Sequence, residues 1–311
     1  MEKIMLPADE SYSLSMSFFE SESGHPAGVV QIVHGMEEHK ERYDEFARYL
    51  AAGGLHVAVA DLRGHGEDAP LLSHIADRGG DDLLIRDQQK ITDWIAGRFP
   101  GLPIMLFGHS MGSIISRVLL QTDSSRYASA ALSGYVNPNP AASVAVALGN
   151  AVRLFRGSRA HSKLLNTLAL GPYGKSIPDR KTELDWLSYN EENVRKYIED
   201  PLCGVEFTVG SYCALFSLLN RMSKPGACRR VNADMPVLLI AGRDDPCTGG
   251  EKGRANSRAV LEKAGFRNIS VITYDHMRHE ILNETDRKKV CRDLRDFFLG
   301  GPDSGTRDGI T

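Results

Sequence analysis

One serine of the chain lies between two glycines in an arrangement that suits a nucleophile, Ser110 in the run GHSMG at residues 108–112. The run directly follows a predicted strand and directly precedes a predicted helix. Glycines at both ends permit a sharp turn where other backbone comes close. The first amides of the helix stabilise negative charge that develops beside the hydroxyl. This setting predicts a nucleophilic serine, and the simpler alternative is a serine that only caps the helix.

A serine hydroxyl is a weak nucleophile at neutral pH, so a base and an acid that orients this base must lie elsewhere in the chain. In an alternating strand and helix architecture they are expected after late strands, in the order serine, acid, histidine. The turn after predicted strand 236–241 offers Asp244 and Asp245, and the turn after predicted strand 269–274 offers His276 and His279. The residues alone leave both choices open.

The elements that would position these groups alternate along the chain. Short β-branched runs predict strands and amphipathic runs predict helices, which indicates βα units around a mostly parallel sheet. The predicted strands cover residues 29–34, 55–61, 103–108, 128–133, 236–241 and 269–274, and the predicted helices cover 41–52, 82–99, 111–121, 251–264 and 280–299.

The alternation breaks between the fourth and fifth predicted strands. Residues 137–231 contain no convincing run of central strands. A small-residue apolar stretch at 141–155 is followed by helical patterns at 164–170, 191–198 and 205–219. We therefore predict a core made of residues 1–136 and 232–311, with a helical cap inserted at 137–231.

Composition narrows the class of protein. Among 311 residues, 37 Lys and Arg stand against 40 Asp and Glu, and the net charge of -3 argues against a nucleic-acid partner. Five cysteines, an odd number without paired short spacings, favour a reducing, cytoplasmic location. The chain shows neither a secretory leader nor a run of about eighteen apolar residues. Its last eleven residues are small and polar and are expected to fray.

Four separate segments carry a resemblance to a known family. They are HGMEEH at 34–39 with Arg42 and Tyr43, DLRGHG at 61–66, GHSMG at 108–112, and GRDDP at 242–246 with RHE at 278–280. On these segments the chain resembles the monoacylglycerol lipase and lysophospholipase branch of the α/β-hydrolases, which also includes serine aminopeptidases. The resemblance implies an α/β-hydrolase fold, with Asp245 as the acid and His279 as the base. It spans most of the core, whereas the cap matches only loosely.

The same resemblance implies how the reaction is assisted. Two backbone N–H groups, those of Met36 and Met111, are expected to bind the oxyanion. No metal and no organic cofactor is implied. Two positions depart from the family pattern, because Glu37 stands where a small or neutral residue is common and Lys40 where a Ser or Thr is common.

Two other groupings of residues lead to competing interpretations. His34 and His39 with Glu37 and Glu38 have the donor atoms of a metal site, but they do not form an H-E-x-x-H motif and no third ligand follows at a recognisable interval. We expect Glu38 and His39 to hold the loop beside the serine instead. Asp61 ends a predicted strand and offers another carboxylate, either catalytic or paired with Arg63.

The family resemblance favours an ester of the monoacylglycerol or lysophospholipid type, with its acyl chain in an apolar groove under the cap. The cap residues expected to line this groove are Leu148, Phe155, Leu164, Leu165 and Phe216. The stretch 141–155, with Arg153 and Arg156, is interpreted either as a lid that touches a membrane surface transiently or as a buried helix.

Three alternative functions remain at this stage. The same triad serves an aminopeptidase or an acyltransferase, and the same scaffold serves a noncatalytic binding module. A peptidase needs acidic groups that hold the substrate amine, and the cap offers Glu183, Asp185, Glu191 and Glu192 for this purpose.

Overall fold

The computed structural model describes residues 1–139, 141–224 and 231–300. Within these residues, eight strands form one sheet in the order β1-β2-β4-β3-β5-β6-β7-β8. The β1–β2 and β2–β4 pairs are antiparallel and all other pairs are parallel, which confirms the mostly parallel sheet. The strands are β1 (Glu2–Pro7), β2 (Ser13–Phe19), β3 (Val29–Val33), β4 (His56–Ala60), β5 (Ile104–His109), β6 (Ser129–Ser133), β7 (Val237–Gly242) and β8 (Ile269–Tyr274).

Helices cover both faces of the sheet, and the central strands are accordingly apolar on both sides. The helices are α1 (Asp44–Ala52), α2 (Gly80–Arg98), α3 (Met111–Asp123), α4 (Ala142–Arg156), α5 (Lys163–Lys175), α6 (Glu191–Glu199), α7 (Val209–Met222), α8 (Gly250–Ala264) and α9 (Arg287–Phe298). In β3, Val29 and Val33 pack into a core on the face of α2 and α3, whereas Val30 and Ile32 pack into the core on the face of α1 and α9.

Four of these helices, α4 to α7, lie between β6 and β7 in a stretch that we call the inserted segment. Its described residues contribute no strand to the sheet, as the sequence indicated. Helix α7 packs against α2 and α3 of the sheet layers and against α4 beside it. The segment therefore rests on the face of the sheet that carries α3, over the turn that begins this helix.

The N-terminal pair β1 and β2 was not predicted. In β2, Leu14, Met16 and Phe18 alternate with serines and pack into the core, which is the period of a strand. The pair extends the sheet past β4 and covers what would otherwise be an edge of the parallel strands.

The predicted helix 280–299 is wrong in its first turns, since α9 begins at Arg287. The preceding residues are held by the inserted segment instead. The Glu280 N–H donates to the Leu187 carbonyl, and the buried Glu284 carboxylate accepts from Ser188 Oγ at 2.8 Å and from the Tyr189 N–H. These contacts compete with helical hydrogen bonds, and they fix the chain next to His279.

The predictions about the cysteines and about the last eleven residues concern residues that the structure describes only in part. Cys203, Cys213, Cys247 and Cys291 are free thiols, whereas Cys228 and the last eleven residues lie outside the described part of the chain. None of the helices within that part is both long and apolar enough to cross a membrane.

Candidate active site

Ser110 forms the turn between β5 and α3. It adopts φ 52° and ψ −118°, a strained conformation for a residue with a side chain, at a cost of about 1–3 kcal/mol. The flanking glycines make the turn possible: a Cβ on Gly112 would lie 2.0 Å from the Val33 carbonyl oxygen, and one on Gly108 would lie 2.6 Å from the Gly112 oxygen. The close approach of β3, β5 and α3 thus places the serine at the carboxyl end of the sheet.

Asp245 and His279 meet at the same end of the sheet, because β7 and β8 are parallel neighbours. The His279 Nδ1 lies 3.0 Å from Asp245 Oδ2, and both residues are only 2% exposed. The Cys247 N–H donates to Asp245 Oδ1 at 2.9 Å and holds the carboxylate in place. Because Nδ1 donates to the carboxylate, the Nε2 atom of the histidine is left able to accept a proton.

The surroundings of His279 tune its basicity. Burial lowers the pKa of this imidazole, but the Asp245 carboxylate and Cys247 outweigh burial, and the net pKa lies well above its ordinary value. Two aromatic rings contact the imidazole, Trp186 at 4.9 Å and His109 at 4.7 Å between centroids. Trp186 belongs to the inserted segment, and no sequence pattern had singled it out.

The other two candidates for the acid and the base, Asp244 and His276, lie apart from this pair. Asp244 is exposed and its Oδ2 accepts from the Tyr189 hydroxyl at 3.0 Å, while His276 is exposed in a left-handed turn. Of the two carboxylates and two imidazoles that the sequence offered, the structure brings together Asp245 and His279.

The two expected oxyanion donors lie on the wall of the same cavity as the serine. Met111 is the first residue of α3, so its N–H has no acceptor within the helix. Met36 lies in the turn after β3, which is braced by Glu38: this carboxylate accepts from the Gly35 N–H and from the Tyr43 hydroxyl. Glu38 therefore holds the loop beside the serine, as expected.

A buried ion-pair network joins this turn to the histidine loop. Arg42 donates to both oxygens of Glu280, at 2.9 and 2.6 Å, and its Nη1 lies 3.7 Å from Glu38 Oε2. Asn193 of α6 donates to the same Glu280 at 2.6 Å. The turn that carries Met36, the residue after His279 and helix α6 are thereby tied to one guanidinium.

His34 and His39 do not share a metal site. His34 is fully buried and its pKa is well below the ordinary value because of this burial. Its Nε2 accepts from the Leu62 N–H, so Nδ1 carries the proton and donates to the Gly35 carbonyl. His39 faces Asp200 of the inserted segment instead.

Asp61 is paired with Lys40 and not with Arg63. The Lys40 Nζ lies 2.6 Å from Asp61 Oδ2, with both side chains buried, and the Lys40 N–H donates to Oδ1. Arg63 pairs with Asp87 and Asp9. The departure from the family pattern at Lys40 thus supplies the partner of a buried carboxylate.

A cavity of about 310 Å³ opens beside Ser110 and His279. Leu148 and Phe216 line it. The other three cap candidates lie outside this lining: Phe155 and Leu164 are 85% and 57% exposed, and Leu165 is fully buried in the main core. The apolar lining from the inserted segment comprises Ala141, Ala142, Val144, Ala145, Leu148, Leu168, Ala169, Leu170, Leu184, Trp186, Leu187, Leu215, Phe216 and Leu219.

The acidic residues that a peptidase was expected to use lie elsewhere. Asp185 and Glu191 border a separate surface cavity, Glu183 lies on the neighbouring surface, and Glu192 forms an exposed ion pair with Arg195. None of the four lines the cavity beside the serine.

Fold and site together define a class of protein, an α/β-hydrolase with a strained serine after β5 and a buried Asp–His pair after β7 and β8. The family model described as "Serine aminopeptidase, S33" matches residues 24–286, and the chain belongs to this family. It is a serine ester hydrolase.

Relatives agree with this membership. The chain is 28% identical over 280 residues to a monoacylglycerol lipase of Mycolicibacterium smegmatis, with 88% of this chain and 89% of the relative covered. It is 31% identical over 229 residues to a monoglyceride lipase of Mus musculus, covering 72% of this chain and 67% of that one. A carboxyl esterase of Bacillus coagulans has the same fold, with a TM-score of 0.89 at 24% identity, covering 96% and 98% of the two chains.

Glu37, the other departure from the family pattern, is strained and buried next to this site. It adopts φ 57°, and its Oε1 is buried without a hydrogen-bond partner. Burial, reinforced by the nearby Glu206, raises the pKa of Glu37 to about 8. The carboxyl is therefore protonated in the folded protein at a pH where the unfolded chain has already released the proton.

This shift predicts that Glu37 makes the protein less stable as the pH rises. Between the ordinary pKa of 4.5 and about 8, the folded state binds the proton and the unfolded state does not. Glu37→Gln has no carboxyl to titrate and should not show this loss. As the pH rises from 5 to 8, the unfolding free energy of the mutant should therefore increase by about 2–4 kcal/mol relative to that of wild type. Urea unfolding across this range measures it.

Glu10→Gln is the matched control, because Glu10 is exposed. We expect its stability to follow wild type at every pH. Parallel pH profiles for Glu37→Gln and wild type would show that the Glu37 carboxyl is ionised in the folded protein.

Proposed function

We propose that Ser110 is the nucleophile, His279 the general base, and Asp245 the carboxylate that orients and stabilises the imidazolium, with the Met36 and Met111 N–H groups as the oxyanion hole. The observation that carries the proposal is the buried 3.0 Å contact between His279 Nδ1 and Asp245, since His279 lines the same cavity as the strained Ser110. A carboxylate on Nδ1 leaves Nε2 as the atom that exchanges protons with the substrate.

The reaction then proceeds in two halves. His279 Nε2 takes the proton of Ser110 Oγ as this oxygen attacks the ester carbonyl, and the oxyanion is held by the two backbone N–H groups. The imidazolium gives its proton to the departing alcohol, which leaves an acyl-serine. Water attacks the acyl carbonyl and passes a proton to His279, which returns it to Ser110 as the fatty acid leaves. Every proton transfer uses a group of the chain or water.

The proposed substrate is a lipid ester with one acyl chain. The cavity wall contributed by α4, α5 and α7 is apolar, which suits a hydrocarbon chain better than a peptide amine. Relatives named as monoacylglycerol lipases support an ester of glycerol with one fatty acid. A relative named as a phospholipase, from Bacillus subtilis, keeps lysophospholipid in the same substrate class.

A substrate panel tests this function. Monoacylglycerols of graded acyl length, lysophospholipids and aminoacyl arylamides are offered to wild type and to Ser110→Ala. We expect free fatty acid from the monoacyl esters, no cleavage of the arylamides, and a loss of at least about a thousandfold in kcat for Ser110→Ala. Cleavage of arylamides alone would favour a peptidase, transfer of the acyl group to an alcohol an acyltransferase, and activity without Ser110 would refute the mechanism.

We also propose transient contact between the inserted segment and a membrane surface. Several large apolar side chains of α4 and α5 are exposed although the cavity wall lies on the same two helices. Arg153 and Arg156, in the last turn of α4, would face lipid headgroups while the apolar residues enter the interface. Leu154, Phe155 and Leu164 are exposed and lie outside the cavity wall, whereas the exposed Val144 and Leu168 also line the cavity.

Phe155→Glu should weaken membrane binding without harming hydrolysis of a water-soluble ester. Burying a phenylalanine side chain stabilises the buried state by about 1.5–3 kcal/mol. Because about 1.4 kcal/mol corresponds to a factor of ten, we expect the partition coefficient of the protein between vesicles and water to fall at least about tenfold. Co-sedimentation with anionic phosphatidylglycerol vesicles measures it. Met5→Glu, an exposed site on β1, is the matched control and should bind like wild type. Equal binding by both mutants would contradict the proposal.

A further inference from the structure

Three side chains outside the catalytic cavity bring together the donor atoms of a transition-metal site. His39, Asp200 and Cys203 each offer one ligand atom, and these atoms all lie within 4.8 Å of one another. His39 belongs to the turn after β3, whereas Asp200 and Cys203 follow α6 in the inserted segment. We propose that this cluster binds one divalent cation of the zinc class, at a junction separate from the reacting groups.

The geometry of His39 favours coordination through Nε2. This nitrogen lies 2.9 Å from Asp200 Oδ2, and the other ring nitrogen, Nδ1, lies 2.8 Å from Glu41 Oε2. A carboxylate on the far nitrogen of a histidine is the usual outer partner of a metal-bound imidazole, where it fixes the tautomer and the ring orientation. The Leu202 N–H donates to the other oxygen of Asp200, which holds this carboxylate toward the histidine.

The chemistry of the donors selects the metal. One thiolate, one imidazole and one carboxylate suit Zn²⁺ or Co²⁺, whereas Mg²⁺ and Ca²⁺ require oxygen ligands. Binding replaces the proton on His39 Nε2 and the proton on Cys203 Sγ, both released to solvent. The thiolate and the Asp200 carboxylate then neutralise the two charges of the cation.

The cationic side chains of Lys40 and Arg42 lie near the cluster, but each is already paired with carboxylates and does not repel the bound metal. Lys40 lies 2.7 Å from Glu41 and 2.6 Å from Asp61, and Arg42 is held by Glu280. His39 and Cys203 are buried, but the Asp200 and Glu41 side chains are about a third exposed, so the cluster opens to solvent on one side. A water molecule can reach the fourth position of a tetrahedral site there.

Because the cluster lies between two parts of the chain, metal binding there should change the thermal stability of the protein. The Gly204 N–H donates to the Glu37 carbonyl at 2.9 Å, directly beside Cys203 and beside the turn that carries Met36. A metal between His39 and Cys203 therefore links this turn to the inserted segment. We expect Zn²⁺ to raise the melting temperature of the metal-free full-length protein, since a ligand that binds only the folded state stabilises it.

Cobalt provides a direct test. Metal-free full-length protein is titrated with Co²⁺, and we expect one equivalent to produce thiolate-to-cobalt charge-transfer absorption in the near ultraviolet, which Zn²⁺ then displaces. Cys203→Ser should abolish the band, and Glu41→Gln should weaken binding about 10–100-fold. Cys213→Ser, a cysteine on α7 outside the cluster, should behave like wild type.

Cys247→Ser separates this site from the other His, Asp and Cys group of the molecule, formed by Asp245, Cys247 and His279. A band that is lost in Cys247→Ser and kept in Cys203→Ser would place the metal at the catalytic pair and overturn the proposal. The absence of any band would overturn it as well.

A zinc-soaked crystal of wild type gives a test that does not depend on how the mutants fold. The anomalous peak should lie between His39 Nε2 and Cys203 Sγ, and a peak elsewhere or none would refute the site.

Discussion

The contact between Asp245 and His279 is the interaction around which the site is built. Neither group would be buried alone at acceptable cost, since an unpaired carboxylate in an apolar interior is strongly destabilised. Paired at 3.0 Å and supported by the Cys247 N–H, the two remain buried and the imidazole keeps a raised pKa. The contact requires adjacent parallel β7 and β8 strands, whose turns open at the same edge of the sheet.

A single guanidinium, that of Arg42, links the loop that carries His279 to the turn that carries Met36. Arg42 binds Glu280, the residue after His279, and lies near Glu38, which braces the turn that carries Met36. Asn193 adds the inserted segment to the same network, and Trp186 of that segment packs on the imidazole. The inserted segment thus both encloses the cavity and positions the base, so a change in its packing alters more than substrate access.

Much of the core and the main site candidates could be predicted, because they depend on local patterns. β-branched runs predicted the six parallel strands, and the order serine, acid, histidine restricted the candidates to two carboxylates and two imidazoles. The choice between Asp244 and Asp245 depends on burial, which the residues alone do not reveal. Family resemblance favoured Asp245, the carboxylate that lies on His279.

The errors have physical causes. Residues 280–286 look helical by composition, but Glu280 and Glu284 bind the inserted segment and the chain turns instead. Phe155 and Leu164 are apolar, yet helix orientation decides whether a side chain faces the cavity or solvent, and orientation depends on packing between helices. The alternation of β2 was present in the sequence and was not used. The boundaries of the cap at 137–231 and the cytoplasmic location stay predictions.

The most direct measurement of the central claim is the rate of labelling by a fluorophosphonate, with the modified residue mapped by mass spectrometry. Wild type should label at Ser110, and His279→Ala and Asp245→Asn should label about 10³-fold or more slowly, since they remove the base or its orienting partner. The matched controls His276→Ala and Asp244→Asn should label at the wild-type rate. A label on another residue, or rates that fall in the controls and not in His279→Ala, would contradict the account.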